Sequence, residues 1–217
     1  MGKKKVQNRA WLLVDRSGSM GTRWVEAIGG LNAFVEKVPA DTHVVLDMFD
    51  AHQADWYVRV QDVVQSKFLP LTTTGIQPRG GTALNDALGR LLSEVLATEG
   101  KHVVVITTDG EENASREFNH SSVKTLLKQA EDAGVEIVWL GADFSQVEEQ
   151  SRGLGFAAAK TMNMSAGNMA DSYRGIADKA TLFYSTGAAM SFTDAEKAAA
   201  STVKKKPEDT AAYANVI

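Results

Sequence analysis

The sequence predicts an α/β fold in three layers, with a mostly parallel central sheet, one antiparallel edge strand and helices on both faces. Two observations support this prediction. Short apolar runs alternate with longer amphipathic segments from Trp11 onward, which is the pattern of parallel strands joined by crossover helices. Two consecutive apolar runs are joined by a polar stretch too short for a crossover helix, so we expect these two strands to pair antiparallel.

Six strands are expected, one for each short apolar run. They are Trp11 to Asp15, His43 to Phe49, Trp56 to Val60, His102 to Thr107, Val135 to Gly141 and Ala158 to Met162. The second and third of these form the antiparallel pair at the edge of the sheet. The remaining connections are long enough to hold helices, which makes the predicted fold Rossmann-like.

Four core helices are expected from apolar residues at helical spacing. They are Arg23 to Val38, Thr82 to Leu96, Ser121 to Ala133 and Asn168 to Tyr184. The first stops before Pro39, and the third stops at Gly134, a residue type that is common just after a helix C-terminus.

One principal domain is expected, because 217 residues with 44% hydrophobic content are enough to bury a single sizeable core. Residues 1–10 are interpreted as a basic N-terminal extension and residues 11–192 as the domain. Residues 193–217, rich in alanine and lysine, are interpreted as a tail with a short surface helix followed by a flexible or partner-docked end.

Composition excludes several function classes. The net charge of −4, from 27 acidic and 23 basic residues, disfavours a nucleic-acid partner. The chain has no cysteine, which rules out thiolate zinc sites and cysteine nucleophiles and fits a reducing compartment. The basic N-terminus lacks the apolar stretch of a signal peptide, and no uncharged apolar run reaches the roughly 20 residues that cross a bilayer. We therefore expect a cytoplasmic protein with no membrane role; its oligomeric state stays open.

Oxygen-bearing side chains follow two of the predicted strands and open one of the predicted helices. They are the motifs Asp-Arg-Ser-Gly-Ser at 15–19, Gly-Gly-Thr at 80–82 and Thr-Thr-Asp-Gly at 107–110. Ligands of open α/β sheets bind outside the carboxyl ends of the strands, so these motifs should converge there. Hard oxygen ligands are those that Mg²⁺ prefers, with Mn²⁺ or Ca²⁺ as alternatives. The sequence thus predicts a divalent cation site.

The three motifs together resemble the metal-ion-dependent adhesion site of von Willebrand factor type A (vWA) domains. That site consists of an Asp-x-Ser-x-Ser turn, a threonine in a later loop and an aspartate at a strand end, and this chain matches it with Asp15, Ser17, Ser19, Thr82 and Asp109. The resemblance implies that the hydroxyls touch the metal and that the two carboxylates act directly or through bound water. One Asp-x-Ser-x-Ser motif is a weak signal, whereas three motifs in the right order are a strong one.

The resemblance covers roughly Trp11 to Phe192 and implies the vWA fold. It is closest to small stand-alone bacterial and phage proteins, as three phrases suggest. These are Asp-Arg-Ser-Gly-Ser-Met, Thr-Thr-Asp-Gly-Glu-Glu-Asn-Ala-Ser-Arg and Leu-Gly-Ala-Asp.

The expected function is that of a non-enzymatic, Mg²⁺-dependent protein interaction module, an adaptor or assembly factor. A divalent ion held by neutral hydroxyls and two carboxylates is at best neutralised, so it should still attract an anion. A helix expected to start near Thr22 would add positive charge from its N-terminus. We expect an Asp or Glu of a partner protein to replace a metal-bound water, as the resemblance also implies. Arg16, Arg79, Glu111 and Glu112 are the candidate rim contacts for that partner.

Two other functions stay open. A metal-dependent hydrolase or phosphotransferase would need a general base, for which Glu111 is the loop candidate. A structural oligomer with a vestigial site would assemble through the Ala-rich segment from Ala195. A phosphotransfer pair is the alternative for Asp47 and Asp50, which are interpreted as solvated acids at a strand end.

Overall fold

The computed structural model describes residues 6–52, 54–109, 112–141, 151–157, 160–165 and 167–202. Six strands form one sheet: β1 (Asn8–Asp15), β2 (His43–Phe49), β3 (Tyr57–Val64), β4 (Lys101–Thr108), β5 (Glu136–Gly141) and β6 (Thr161–Asn163). The helices are α1 (Trp24–Lys37), α2 (Leu84–Ala97), α3 (His120–Asp132), α4 (Met169–Thr186) and α5 (Asp194–Ser201). The strand order is β3-β2-β1-β4-β5-β6, and β3 alone in this sheet runs antiparallel to its neighbour, β2.

The inner strands are buried on both faces, because helices cover the sheet from both sides. In β1, β2, β4 and β5 nearly every residue is inaccessible, whereas β3 at the edge stays partly exposed along its length. This explains why the inner strands read as continuous apolar runs rather than alternating ones.

The sheet divides the core into two clusters. On one face α1 and α4 pack on alternate residues of the strands, with Leu12, Val14, Leu31, Phe34 and Tyr173 among the members. Trp11, Leu13, Leu88, Leu91 and Trp139 belong to the other cluster, which α2 and α3 cover. Gly30 lets α1 and α4 approach closely, because a Cβ at this position would lie 2.3 Å from the Tyr173 ring.

The predicted fold class is confirmed, and the element bounds differ by a few residues. The β3 strand continues to Val64, four residues beyond its predicted end. The α2 helix begins at Leu84 rather than at Thr82, because Ala83 leaves the helical conformation at φ −95° and ψ 60°. The last strand begins at Thr161; the predicted residues 158 and 159 lie outside the described part of the chain.

The connection after β1 also differs from the prediction. Instead of a helix starting near Thr22, a 3₁₀ turn spans Gly18–Arg23, and α1 begins only at Trp24. The apolar spacing that predicts α1 is the same in both cases, but the tighter turn lets the chain leave β1 and stay beside the strand ends.

A long connection from 65 to 83 carries the chain from β3 to α2 and across α1. Asn32 holds its middle with two hydrogen bonds: its Nδ2 donates to the Leu71 carbonyl at 2.9 Å, and its Oδ1 accepts from the Leu71 amide at 2.8 Å. Farther along, Trp24 Nε1 donates to the Ile76 carbonyl at 2.8 Å. Side chains of α1 therefore guide this connection toward the carboxyl end of the sheet.

The residues after Thr193 begin with α5, which a capping box between Thr193 and Glu196 starts. This helix contacts the fold through hydrogen bonds: the Ser165 amide donates to the Ala200 carbonyl at 3.0 Å, and Asn168 Nδ2 donates to the Ala199 carbonyl at 3.1 Å. The rest of the predicted tail, 203–217, lies outside the described residues. None of the described helices has the length and apolar character needed to cross a bilayer.

Candidate metal centre

Asp15 is the centre of the polar cluster at the carboxyl end of the sheet. It is the last residue of β1 and is 0% exposed. Its Oδ1 accepts a hydrogen bond from the Ser17 amide at 2.7 Å, which closes the turn locally, and its Oδ2 accepts one from the Thr108 hydroxyl at 2.6 Å. The carboxylate thus joins the end of β1 to the end of β4.

A row of hydroxyls leads from this buried carboxylate toward solvent. Ser17 Oγ lies 3.0 Å from Ser19 Oγ, and the Ser19 hydroxyl donates to Asp109 Oδ1 at 2.8 Å. Ser17 is buried, Asp109 is partly buried and Ser19 is exposed. The row therefore reaches solvent at Ser19, where a small ligand could enter.

Thr82 belongs to a loop that is hydrogen-bonded to the turn after β1 and to the loop that follows the Thr-Thr-Asp-Gly motif. The Gly18 amide donates to the Gly80 carbonyl at 3.1 Å, which joins this loop to the turn after β1. The Thr82 amide donates to Asn113 Oδ1 at 2.9 Å, and the Asn113 amide donates back to the Thr82 carbonyl at 3.1 Å. The three predicted segments are therefore neighbours, and Thr82 itself is buried.

The environment of Asp15 disfavours its negative charge. Burial raises the pKa of its carboxyl group from 3.8 to about 6, and the nearby Asp109 charge adds to the rise, against the effect of the hydrogen bonds from Thr108 and Ser17. Both of these donors are neutral groups. A divalent cation among these oxygens would supply the missing positive charge, so the residues fit such an ion.

The candidate metal site is rich in hydroxyl groups rather than in carboxylates or imidazoles. In the described part of the chain, no three His, Cys, Asp or Glu side chains come close enough together to hold a metal ion. Within the described residues, the hydroxyl oxygens of Ser17 and Ser19 lie in the cluster with Asp15 and Asp109 and are suited to contribute to the coordination of a cation there.

Two of the four candidate rim residues, Arg16 and Arg79, form ion pairs beside this cluster. Arg79 Nε donates to Asp50 Oδ2 at 2.9 Å, and Arg16 Nε lies 2.9 Å from the same oxygen in an ion pair whose geometry falls short of a hydrogen bond. Asp55 contacts both arginines. Arg16 is 7% exposed, whereas the Arg79 side chain is 34% exposed, so Arg79 offers more surface to a partner.

The other two candidate rim residues follow β4. Glu112 Oε1 accepts from the amides of Ala114 and Ser115, both at 2.8 Å, and its Oε2 accepts from the Asn85 amide at 2.7 Å. This carboxylate therefore holds its own loop against the start of α2. Glu111, which is also the candidate general base, lies outside the described residues.

The interpretation of Asp47 and Asp50 as solvated acids is wrong. Both are 0% exposed. Asp47 accepts hydrogen bonds from the Tyr57 hydroxyl at 2.8 Å and from Arg59 Nε at 2.9 Å, while Asp50 pairs with the two arginines described above. The position of Asp47 inside an apolar run was the available signal, since a charge buried in a central strand requires a partner.

Sequence reasoning assigned no role to three residues that build the site. Thr108 holds Asp15, Asn113 holds Thr82, and Asp86 accepts hydrogen bonds from three consecutive backbone amides, 116–118, at 2.7 to 2.8 Å. Asp86 lies in the first turn of α2 and so fixes the loop after β4 to that helix. Thr108 and Asn113 lie within the conspicuous segment 107–116, whereas Asp86 lies in no motif, and the partners of Asn113 and Asp86 become visible only in the fold.

This sheet order, with its single antiparallel edge and helices on both faces, agrees with that of a vWA domain. A family model described as "VWA domain containing CoxE-like protein" matches residues 2–172, and the chain belongs to that family. No curated protein matches the sequence significantly.

Solved structures with the same fold include two pilus proteins. The pilus adhesin SpaC from Lactobacillus rhamnosus GG, in its open conformation, has a TM-score of 0.69 at 14% identity over 84% of this chain and 31% of its own. The vWF domain of the type V pili tip protein Mfa5 from Porphyromonas gingivalis has a TM-score of 0.68 at 14% identity, over 88% of this chain and 100% of its own. The chain thus spans about a third of SpaC but the whole of the Mfa5 domain.

A manganese-loaded TRAP protein from Plasmodium vivax is also similar, with a TM-score of 0.52 at 15% identity over 76% of this chain and 71% of its own. At these identities the likeness establishes the fold.

Proposed function

We propose that this vWA domain is a Mg²⁺-dependent protein interaction module. The observation that carries the proposal is the environment of Asp15, a fully buried carboxylate held by neutral donors and joined by hydroxyls to the partly buried Asp109. A buried charge without a cationic partner is costly, and it is retained most readily where an external cation completes it.

In this proposal the hydroxyl oxygens of Ser17, Ser19 and Thr82 ligate the ion. Asp15 and Asp109 act directly or through bound water. Mg²⁺ suits such a set because it takes oxygen ligands and keeps several waters, and Mn²⁺ and Ca²⁺ are compatible alternatives. The manganese-loaded TRAP structure supports a divalent metal in this fold.

The proposed partner is a protein that presents an Asp or Glu side chain. An ion held largely by neutral oxygens keeps residual positive charge, so a partner carboxylate can replace one of its waters. The adhesin among the similar structures supports an interaction role. Arg79 and Arg16, with Glu111 and Glu112, are the proposed rim around that contact.

The module is proposed to act without catalysis, as an adaptor or assembly factor in a bacterial or phage-infected cytoplasm. The absence of cysteine from the sequence is consistent with a reducing compartment. The acidic balance of the chain disfavours a nucleic-acid partner.

The test has two parts. Calorimetric titration of the metal-free protein with MgCl₂ should give saturable binding that Asp15→Ala abolishes. Asp178→Ala is the matched control, since Asp178 pairs with Lys37 on a helix surface and its removal also deletes one acid.

The second part measures the partner interaction. Peptides containing Glu, and matched peptides containing Gln, are passed over immobilised protein in Mg²⁺ and in EDTA. Selective retention of the Glu peptides in Mg²⁺ supports the proposal; equal retention in Mg²⁺ and EDTA refutes it.

A further inference from the structure

Asp50 is a buried carboxylate that contacts two arginines and its own loop at once. It follows β2 directly, and its Oδ2 accepts a hydrogen bond from Arg79 Nε at 2.9 Å and lies 2.9 Å from Arg16 Nε. Its Oδ1 accepts from the His52 amide at 2.6 Å. Both oxygens of Asp50 are therefore engaged within the chain, and it is unsuited to be a metal ligand itself.

The two arginines come from the two loops that carry the proposed hydroxyl ligands. Arg16 lies between Asp15 and Ser17, and Arg79 lies three residues before Thr82. The backbones of the loops also meet, because the Arg79 amide donates to the Arg16 carbonyl at 2.8 Å. One carboxylate just after β2 thus joins both loops through their side chains.

We propose that Asp50 is a positioning residue that fixes the separation of the Asp15–Ser19 turn from the Thr82 loop. This inference rests on the metal site given under Proposed function. The Arg16–Asp50 ion pair lies in a poorly solvated place, since Asp50 is 0% exposed and Arg16 only 7%, so it is screened little by water. Hydroxyls from both loops can then meet one ion at a set distance.

The proposal predicts a dependence on the kind of metal. Mg²⁺ demands near-ideal octahedral geometry at about 2.0–2.1 Å, whereas Ca²⁺ accepts longer and more variable distances. Loosening the two loops should therefore weaken Mg²⁺ binding more than Ca²⁺ binding. A residue that only stabilises the fold would not change the ratio of the two affinities.

Asp47 provides a matched control. It lies on β2, is also 0% exposed, and also pairs with an arginine, but its described partners Tyr57 and Arg59 belong to β3 rather than to the proposed metal loops. A change from Asp to Asn at this position removes a buried charge of the same kind without touching the link between the loops.

The experiment compares the full chain with its Asp50→Asn and Asp47→Asn variants by calorimetric titration with MgCl₂ and, separately, CaCl₂. We expect Asp50→Asn to raise the Mg²⁺ dissociation constant about tenfold or more, as loss of a group that orients ligands typically does. The Ca²⁺ constant should rise much less. In Asp47→Asn both constants should stay near the wild-type values, even if the protein melts at a lower temperature.

Each result decides the matter. Unchanged Mg²⁺ affinity in Asp50→Asn overturns the positioning role and leaves the metal site standing, and so does an equal loss of Mg²⁺ and Ca²⁺ affinity. If the wild-type chain binds neither metal, the proposed site falls and the positioning role falls with it.

A second variant covers the case in which Asp50→Asn does not fold. Arg79→Gln changes a side chain that is one-third exposed, and so disturbs the core less. Like Asp50→Asn, it should weaken Mg²⁺ binding and leave Ca²⁺ binding nearly unchanged. Wild-type Mg²⁺ affinity in Arg79→Gln overturns the proposal.

Discussion

Asp15 is the last residue of β1, Asp50 follows the neighbouring strand β2, and both are fully buried, yet the chain surrounds their carboxylates with different partners. Asp50 contacts the guanidinium groups of Arg16 and Arg79. Asp15, at the end of β1, is held by the Ser17 amide and the Thr108 hydroxyl. The comparison teaches that this chain can neutralise a buried acid with its own arginines. At Asp15 the described hydrogen-bond donors are neutral, so its negative charge is left to be balanced by an ion from solution.

The difference has an energetic consequence. A carboxyl group whose pKa rises from 3.8 to about 6 on folding disfavours its ionised form by about 3 kcal/mol in the folded state. At neutral pH the metal-free protein carries this cost at Asp15. The Asp50 ion pairs carry a desolvation cost instead, which their mutual attraction offsets only while all partners are present.

The largest expected effect is the loss of Asp50. Asp50→Ala leaves two arginine groups beside each other with the half-exposed Asp55 as their remaining shared carboxylate, and removing the buried partner of an ion pair costs about 3–5 kcal/mol. Urea unfolding of the metal-free protein measures it. A loss below about 1 kcal/mol, the range of a surface ion pair, would show that solvent compensates these charges.

Removing the charge of Asp15 should stabilise the metal-free protein, whereas removing that of Asp50 destabilises it. In the metal-free protein Asp15→Asn removes the buried charge and should raise the free energy of unfolding at pH 7 by about 1–3 kcal/mol. The same variant should gain nothing from MgCl₂, whereas the wild type is stabilised by it. Thermal melts of both proteins in EDTA and in Mg²⁺ distinguish the effect of the buried charge from the effect of the bound metal. An Asp15→Asn variant that is less stable than wild type in EDTA would contradict the contrast drawn between Asp15 and Asp50.

The fold was more accessible to sequence reasoning than the site was. Apolar runs and helical spacing suffice for the strands and helices, because burial on both faces of a sheet leaves a direct mark on composition. The Asp-x-Ser-x-Ser turn indicated the oxygen cluster for a similar reason, since its Asp15–Ser17 hydrogen bond is local. Long-range partners leave no such mark: Asn113 reaches Thr82 across 31 positions, and Arg79 reaches Asp50 across 29.

The start of α2 shows the same limit. Thr82 reads as the first helical residue, but its backbone is paired with Asn113 on a different loop, so the helix begins at Leu84. A tertiary contact thus overrides the local signal at the residue that matters most for the site.

The pH dependence should separate the two aspartates further. Because the folded pKa of Asp15 lies above its unfolded value, the folded state binds this proton more tightly, and metal-free stability attributable to Asp15 should rise as the pH falls from about 6 to about 4. The measurement is the difference in unfolding free energy between wild type and Asp15→Asn across this range. A difference that stays constant with pH would mean that Asp15 is already compensated.

Mg²⁺ affinity should also depend on the protonation of Asp15, but it should fall, rather than rise, as the pH falls. Mg²⁺ competes with protonation of Asp15, so its apparent affinity should fall as the pH drops through about 6, approaching tenfold per pH unit at lower pH. Calorimetric titrations at pH 7.5, 6.5 and 5.5 provide the check. An affinity independent of pH would place the ion away from Asp15.

The smallest expected effect concerns Thr108, whose hydroxyl donates to Asp15 Oδ2 at 2.6 Å. Thr108→Val keeps the shape of this buried side chain and removes the donor, so the ionised carboxylate loses about 1–2 kcal/mol of support and its pKa should rise further. Thr108→Ser, which keeps a hydroxyl, is the matched control. If Thr108 acts by holding Asp15, the valine variant should bind Mg²⁺ several-fold more weakly at pH 6 and approach wild type at pH 8, where Asp15 is ionised in both; an equal loss at both pH values would instead assign Thr108 a part in shaping the site.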